Sequence, residues 1–173
     1  YRGEDGRRLT SWYMSPAGRK GSKATPLIVL PYPGASYPSL PPNLRADAWA
    51  PTPHARLLSA AGYGVLVPAL PLRSSAGEPA EHITSQLEDA VDAALAKELA
   101  DPKRVALWGH SFGGYGALIA AGQSDRFKAV VAQAAKTDLT AGWGALSPVG
   151  RLAPEGGPAM LSSIGWTESG QGG

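Results

Sequence analysis

At 173 residues with 43% hydrophobic content, the chain is long enough for one domain with a real core and too short for two comfortable ones, and no apolar run approaches the twenty residues of a membrane span. A net charge of +2, with no Lys/Arg cluster interleaved with aromatics, argues against a nucleic-acid partner despite a sequence pI of about 9.0. The absence of cysteine removes both a disulfide framework and a thiolate metal site, and leaves the compartment open.

With no initiator Met, signal peptide or polybasic start, Tyr1 reads as an internal position of a larger protein. Residues 8–16, RLTSWYMSP, alternate as a strand entered through an EDG turn, with Leu9, Ser11 and Tyr13 on one face and Thr10, Trp12 and Met14 on the other. After a polar connection over 17–25, the run 26–32, PLIVLPY, predicts a buried strand that ends in a Pro/Gly-rich loop, 33–42, which cannot be helix. Thr52 and Pro53 supply a cap and first turn for a short helix over 54–61 that stops at Gly62. Residues 63–70, YGVLVPAL, give the next buried strand, followed by a loop over 71–79. Then comes the clearest helix: Ile83, Leu87, Ala90, Val91, Ala94, Leu95 and Leu99 recur at three- and four-residue spacing, opposite a solvated face of Gln86, Asp89, Asp92 and Lys97. Asp101-Pro102 stops it, and residues 129–135, AVVAQAA, form a last strand. From Thr140 onward Gly, Ser and Pro dominate, so about 141–173 is expected to be loop-rich and weakly structured. Strands and helices alternating in this way predict an α/β fold, a mostly parallel sheet with helices on both faces and ligands at the carboxyl ends of its strands.

Between the long helix and the last strand lies RVALWGHSFGGYGALIAA, residues 104–121. Val105 to Trp108 read as a strand buried on both faces, Gly109-His110-Ser111-Phe112-Gly113 matches G-x-S-x-G, and small residues from Tyr115 on suit a helix packed tightly on a sheet. This is the context of a nucleophile elbow, where a strained turn raises the Ser oxygen above the sheet edge and glycines avoid collision with neighbouring backbone. An ordinary strand-to-helix turn can also hold Ser and Gly, but the preceding strand and the extra Gly114 and Gly116 favour Ser111 as a catalytic nucleophile. The elbow glycines are Gly109, Gly113 and Gly114. Neither a metal nor a cofactor is called for.

Together with DPKR before it and FKAVVAQAAKTDL after it, this stretch resembles the catalytic α/β-hydrolase domain of the prolyl oligopeptidase family of serine peptidases. The resemblance covers residues 1–140, only the first half or so of such a domain, and implies an α/β-hydrolase fold truncated before its last strands. It further implies that Tyr32, in Pro31-Tyr32-Pro33-Gly34, donates one hydrogen bond to the oxyanion while the backbone N–H of Phe112 donates the other; Tyr37 is a rival donor. Phe112 and Leu139 match positions lining the pocket for the residue before the scissile bond. Lys136 falls where the family is usually apolar, and could either accept an acidic residue or point to solvent.

In this fold the triad runs Ser, then Asp or Glu, then His, yet His54, His82 and His110 all precede Ser111. Adjacent residues in a tight turn direct their side chains apart, so His110 is expected to pack beneath the elbow. Asp138 resembles a family Asp outside the triad. The expectation is therefore a fragment of a serine peptidase acting on short peptides through a Ser111 acyl-enzyme, with its triad Asp and His in an absent C-terminal half and an N-terminal β-propeller also missing. The alternatives are a carboxylesterase or dienelactone-hydrolase-like enzyme of the same fold and, in another class, a non-catalytic α/β-hydrolase binding module.

Overall fold

The structure, a computed structural model, describes residues 1–18, 25–47, 54–71 and 80–139. In chain order the elements are β1 (Trp12–Met14), β2 (Leu27–Val29), a 3-10 turn Pro42–Leu44, α1 (Ala55–Ala60), β3 (Gly64–Val67), α2 (Ile83–Leu95), β4 (Val105–His110), α3 (Phe112–Gln123) and β5 (Phe127–Gln133). The sequence order of strands and helices is the expected one. Thr52, Pro53, the loop beyond Pro71 and residues 141–173 lie outside the described residues; the observed cap of α1 is His54, whose side chain accepts from the Arg56 N–H.

The five strands form one sheet in the order β1-β3-β2-β4-β5. Only the β1–β3 pair is antiparallel; β2 pairs in parallel with both β3 and β4, and β4 with β5. β2 is the hub because every residue of LIV is buried, its alternate side chains feeding two separate cores. On one face Leu27 and Val29 join Leu87, Val91, Val105, Leu107, Phe112 and Ala117, beneath α2 and α3. On the other, Ile28 and Leu30 join Val65, Val67, Ala55 and Leu58 beneath α1. Tyr13 packs against the first core, Trp12 and Met14 against the second, as the alternation of residues 8–16 requires.

Two expectations are corrected. β4 is not buried on both faces: Val105, Leu107 and Gly109 are buried, while Ala106, Trp108 and His110 are half-buried. The physical reason is that α1 packs on β3 and β1, leaving the corresponding face of β4 without a helix among the described elements. Gln86 is not solvated either. It is 9% exposed, its Nε2 donates to the His82 carbonyl at 3.1 Å, and its Oε1 is without a partner among the described residues. The N-terminal hairpin approaches α2 on the neighbouring positions, with Glu4 N–H donating to Asp89 at 2.9 Å, and the sequence has no periodic signal for that cover.

Candidate active site

Strand order fixes where a site can lie. The chain leaves β2 for β3 on one side and returns across it to β4 on the other, so the sheet switches direction between β2 and β4, the place at which sheets of this kind bind ligands beyond their carboxyl ends. Ser111 follows β4 directly. Its φ of 55° and ψ of −122° form a combination that an L side chain rarely adopts and that costs about 1–3 kcal/mol, held only where the surroundings over-determine it.

Here the surroundings are the glycines. A Cβ on Gly109 would overlap the Gly113 carbonyl, and one on Gly113 would overlap the Pro31 carbonyl at the end of β2. On Gly114 it would lie 2.7 Å from Ala135 Cβ, and on Gly116 2.8 Å from Pro33 Cγ. Small residues thus let α3 wedge its first turn between the loop after β2 and the segment after β5. The Ser111 N–H donates to the Gln133 carbonyl at 3.0 Å, closing the elbow against β5. Gly114 and Tyr115 N–H groups both donate back to the Ser111 carbonyl, at 2.9 and 3.2 Å. The first two N–H groups of α3, those of Phe112 and Gly113, have no acceptor among the described residues, and the Ser111 hydroxyl makes no cap hydrogen bond. A hydroxyl with no cap hydrogen bond and backbone donors with no acceptor among the described residues thus share the positive end of a twelve-residue helix.

Tyr32 begins a tight turn, Tyr32-Pro33-Gly34-Ala35, with the Ala35 N–H donating to the Tyr32 carbonyl at 3.0 Å and Gly34 at φ 87°. Pro in the second position and Gly at positive φ in the third are what a type II turn requires. Reciprocal bonds from Gly34 N–H to the Leu70 carbonyl and from Leu70 N–H to the Ala35 carbonyl fasten this turn to the end of β3's extension. The Tyr32 ring is 43% exposed and lies over the start of α3, its Cδ2 3.4 Å from where a Gly113 Cβ would be. Tyr37 is held elsewhere: its carbonyl accepts from Trp12 Nε1 at 3.0 Å, its ring packs on the α1-side core, and burial raises its phenol above the ordinary value, with Tyr32 adding to the rise.

The structure brings Phe112 and Leu139 into one apolar cluster, each 5% exposed, with Phe112 stacked on Tyr115 at a centroid distance of 5.4 Å. Lys136 is half-buried between Ala135 and that anchored Leu139. No histidine reaches Ser111 as its partner. His54 caps α1 with its Nε2 against the Arg45 carbonyl, and His82 precedes α2 between Glu4 at 4.0 Å and Glu81 at 3.8 Å. His110 leaves β4 on the side of Ala106 and Trp108, beside Gln133 in the sheet register. Among the described residues no group of three or more His, Asp and Glu could hold a metal. Sequence reasoning missed Gln133 and Pro31, whose backbone carbonyls shape the elbow; no side-chain pattern could have singled them out, because the contacts use only the main chain.

A strand, a strained serine between glycines and a helix at the sheet's switch point define an α/β-hydrolase fold. The sequence model of the prolyl oligopeptidase family matches residues 73–148. The quorum-quenching protein AidA of Acinetobacter baumannii is 39% identical over 83 residues, which are 45% of this chain and 27% of AidA. Among solved structures, the AtxE2 isopeptidase is similar with a TM-score of 0.66 at 23% identity, over 95% of this chain and 26% of its own. A puromycin-hydrolysing peptidase of Mycobacterium tuberculosis gives 0.59 at 22% identity, over 84% and 23%. The chain thus spans about a quarter of the length of these relatives, and the likeness to the two structures is one of fold.

Proposed function

We propose that Ser111 is the nucleophile of a serine peptidase that cleaves short peptides through an acyl-enzyme. The observation that carries this reading is the Ser111 backbone at φ 55° and ψ −122°, held by glycines that no side chain could replace. A fold spends strain of that kind where a side chain must be aimed. As Ser111 Oγ attacks a carbonyl, its proton passes to the catalytic base, the bond between oxygen and carbon forms, and negative charge moves to the carbonyl oxygen, where the Phe112 N–H and Tyr32 hydroxyl receive it; collapse of the intermediate breaks the C–N bond, the base returns the proton to the leaving amine, and the acyl group stays on Ser111. The catalytic base and its orienting carboxylate belong, in this proposal, to a segment following residue 173, and a β-propeller preceding residue 1 restricts entry to short peptides. In the full-length gene product, a fluorophosphonate probe is expected to label Ser111, mapped by mass spectrometry; label on another serine would overturn the assignment.

Tyr32→Phe in that protein should lower kcat roughly 10²–10³-fold with little change in KM, because the phenolic hydrogen bond strengthens only as charge develops. An unchanged kcat would remove Tyr32 from the oxyanion site. The 173-residue chain alone should turn over no p-nitroanilide at an enzymatic rate, since a serine without a base is almost never an alkoxide at pH 7. It should also self-associate through β5, which ends the described sheet and exposes Val131 at 43%. Turnover by a stable monomer that is lost in His110→Ala would make His110 the base. A second reading is ester hydrolysis by the same serine, because the same strand-serine-helix elbow serves esterases of this fold. Comparing p-nitrophenyl esters with p-nitroanilides of the same acyl group separates the two.

A further inference from the structure

We propose, resting on the nucleophile reading of Ser111, that Lys136 selects substrates whose acyl portion carries a carboxylate, so that cleavage follows an acidic residue. β4 lies between β2 and β5, which sets Tyr32 on one side of Ser111 and the chain after β5 on the other. That second side is pinned to the elbow at two points: the Gln133 carbonyl accepts the Ser111 N–H at 3.0 Å, and Ala135 presses against Gly114 so closely that a Cβ there would lie 2.7 Å away. Between these contacts Ala134, at φ 46°, turns the chain sharply out of β5. Three residues beyond Lys136, Leu139 is buried in the cluster that holds Phe112 and Tyr115. Lys136 therefore stands on a short segment anchored at both ends, beside the first turn of α3 and across the elbow from Tyr32.

Its charge is the anomaly. The described Asp, Glu, Lys and Arg side chains that are half-buried are Glu88, Asp89, Asp101, Arg126 and Lys136. Glu88 accepts from the Ser124 hydroxyl, Asp89 from the Glu4 N–H, Asp101 from Arg104 and the Lys103 N–H, and Arg126 pairs with Asp92. Lys136 alone of the five has no hydrogen bond or ion pair among the described residues. An ammonium with no counter-charge among the described residues is available to pair with one from a ligand. A carboxylate on the acyl part of the substrate would supply the counter-charge where the elbow presents its donors, and the long lysine stem lets the ammonium follow it.

The test uses the full-length protein and peptidyl p-nitroanilides that differ only in the residue before the scissile bond: Glu, Gln, Leu and Lys. Glu should exceed Gln in kcat/KM by about tenfold or more, as for a hydrogen bond to a charged group, and the ratio should shrink with added salt. Lys136→Met should bring the Glu/Gln ratio to near one while leaving the Leu substrate within a few-fold, and Lys136→Glu should shift preference toward the Lys substrate. A ratio near one in the unaltered protein, or a high ratio that survives Lys136→Met, would overturn the inference while leaving the hydrolase reading intact. Hydrolysis of none of the four substrates, together with no fluorophosphonate label on Ser111, would overturn both.

Discussion

Ser111→Gly and Ser111→Ala are expected to abolish hydrolysis equally in the full-length protein, and to differ in stability. Loss of the proposed nucleophile would remove the acyl-enzyme route, on the order of 10⁶-fold in kcat where the triad acts as a unit. The stability difference comes from the backbone. Alanine keeps the Cβ that is strained at φ 55°, whereas glycine adopts this conformation freely. Strain relief of about 1–3 kcal/mol is offset by glycine's larger unfolded-state entropy, about 0.5–1 kcal/mol, leaving a net gain near 1 kcal/mol. For a domain of this size that raises Tm by about 2–4 °C. Thermal unfolding of the two variants, side by side, isolates the strain from the hydroxyl. Equal Tm values for Gly and Ala would mean that no strain is stored at Ser111.

Gly109→Ala should be the most destabilising single substitution at the elbow, costing about 3–5 kcal/mol and removing the fluorophosphonate label with it. The added Cβ would overlap the Gly113 carbonyl and lie 2.7 Å from the Gly114 nitrogen, both main-chain atoms in the first turn of α3. Neither can swing aside as a side-chain tip could; relief requires α3 to lift from β4, which uncovers Phe112, Ala117 and Ala120. Gly122→Ala is the matched control in the same helix. Nothing lies within 4 Å of its Cβ, and the better helix propensity of alanine should add up to about 1 kcal/mol. Urea unfolding of both variants reads the contrast directly. A Gly109→Ala protein as stable as the parent and still labelled at Ser111 would show that the elbow tolerates a side chain there.

The local elements were legible because each is written in a short window. PLIVLPY is apolar without interruption and became the strand buried on both faces; the spacing from Ile83 to Leu95 became α2; the glycines around Ser111 announced a turn in which side chains would collide. Departures came where burial depends on a distant segment. Trp108 reads as core in its own run, yet its face of the sheet is half-open because α1 covers β3 instead. Gln86 reads as surface from its polarity, yet it is buried.

Residue types at fixed spacing were sufficient for the alternating α/β order, the strand-serine-helix elbow and the absence from these residues of a histidine following Ser111, since each depends on contacts a few positions apart or on chain order alone. Pairing between strands far apart in sequence was needed for the rest. It set β2 between β3 and β4 and so put the switch point at Ser111; it stitched the Tyr32 turn to Leu70 and left Tyr37 against β1; it bent the chain after β5 back onto Gly114 and brought Lys136 beside the elbow. A sequence window carries the period of a side chain's own element. Which neighbour covers that side chain is decided only when strands separated by tens of residues close into one sheet.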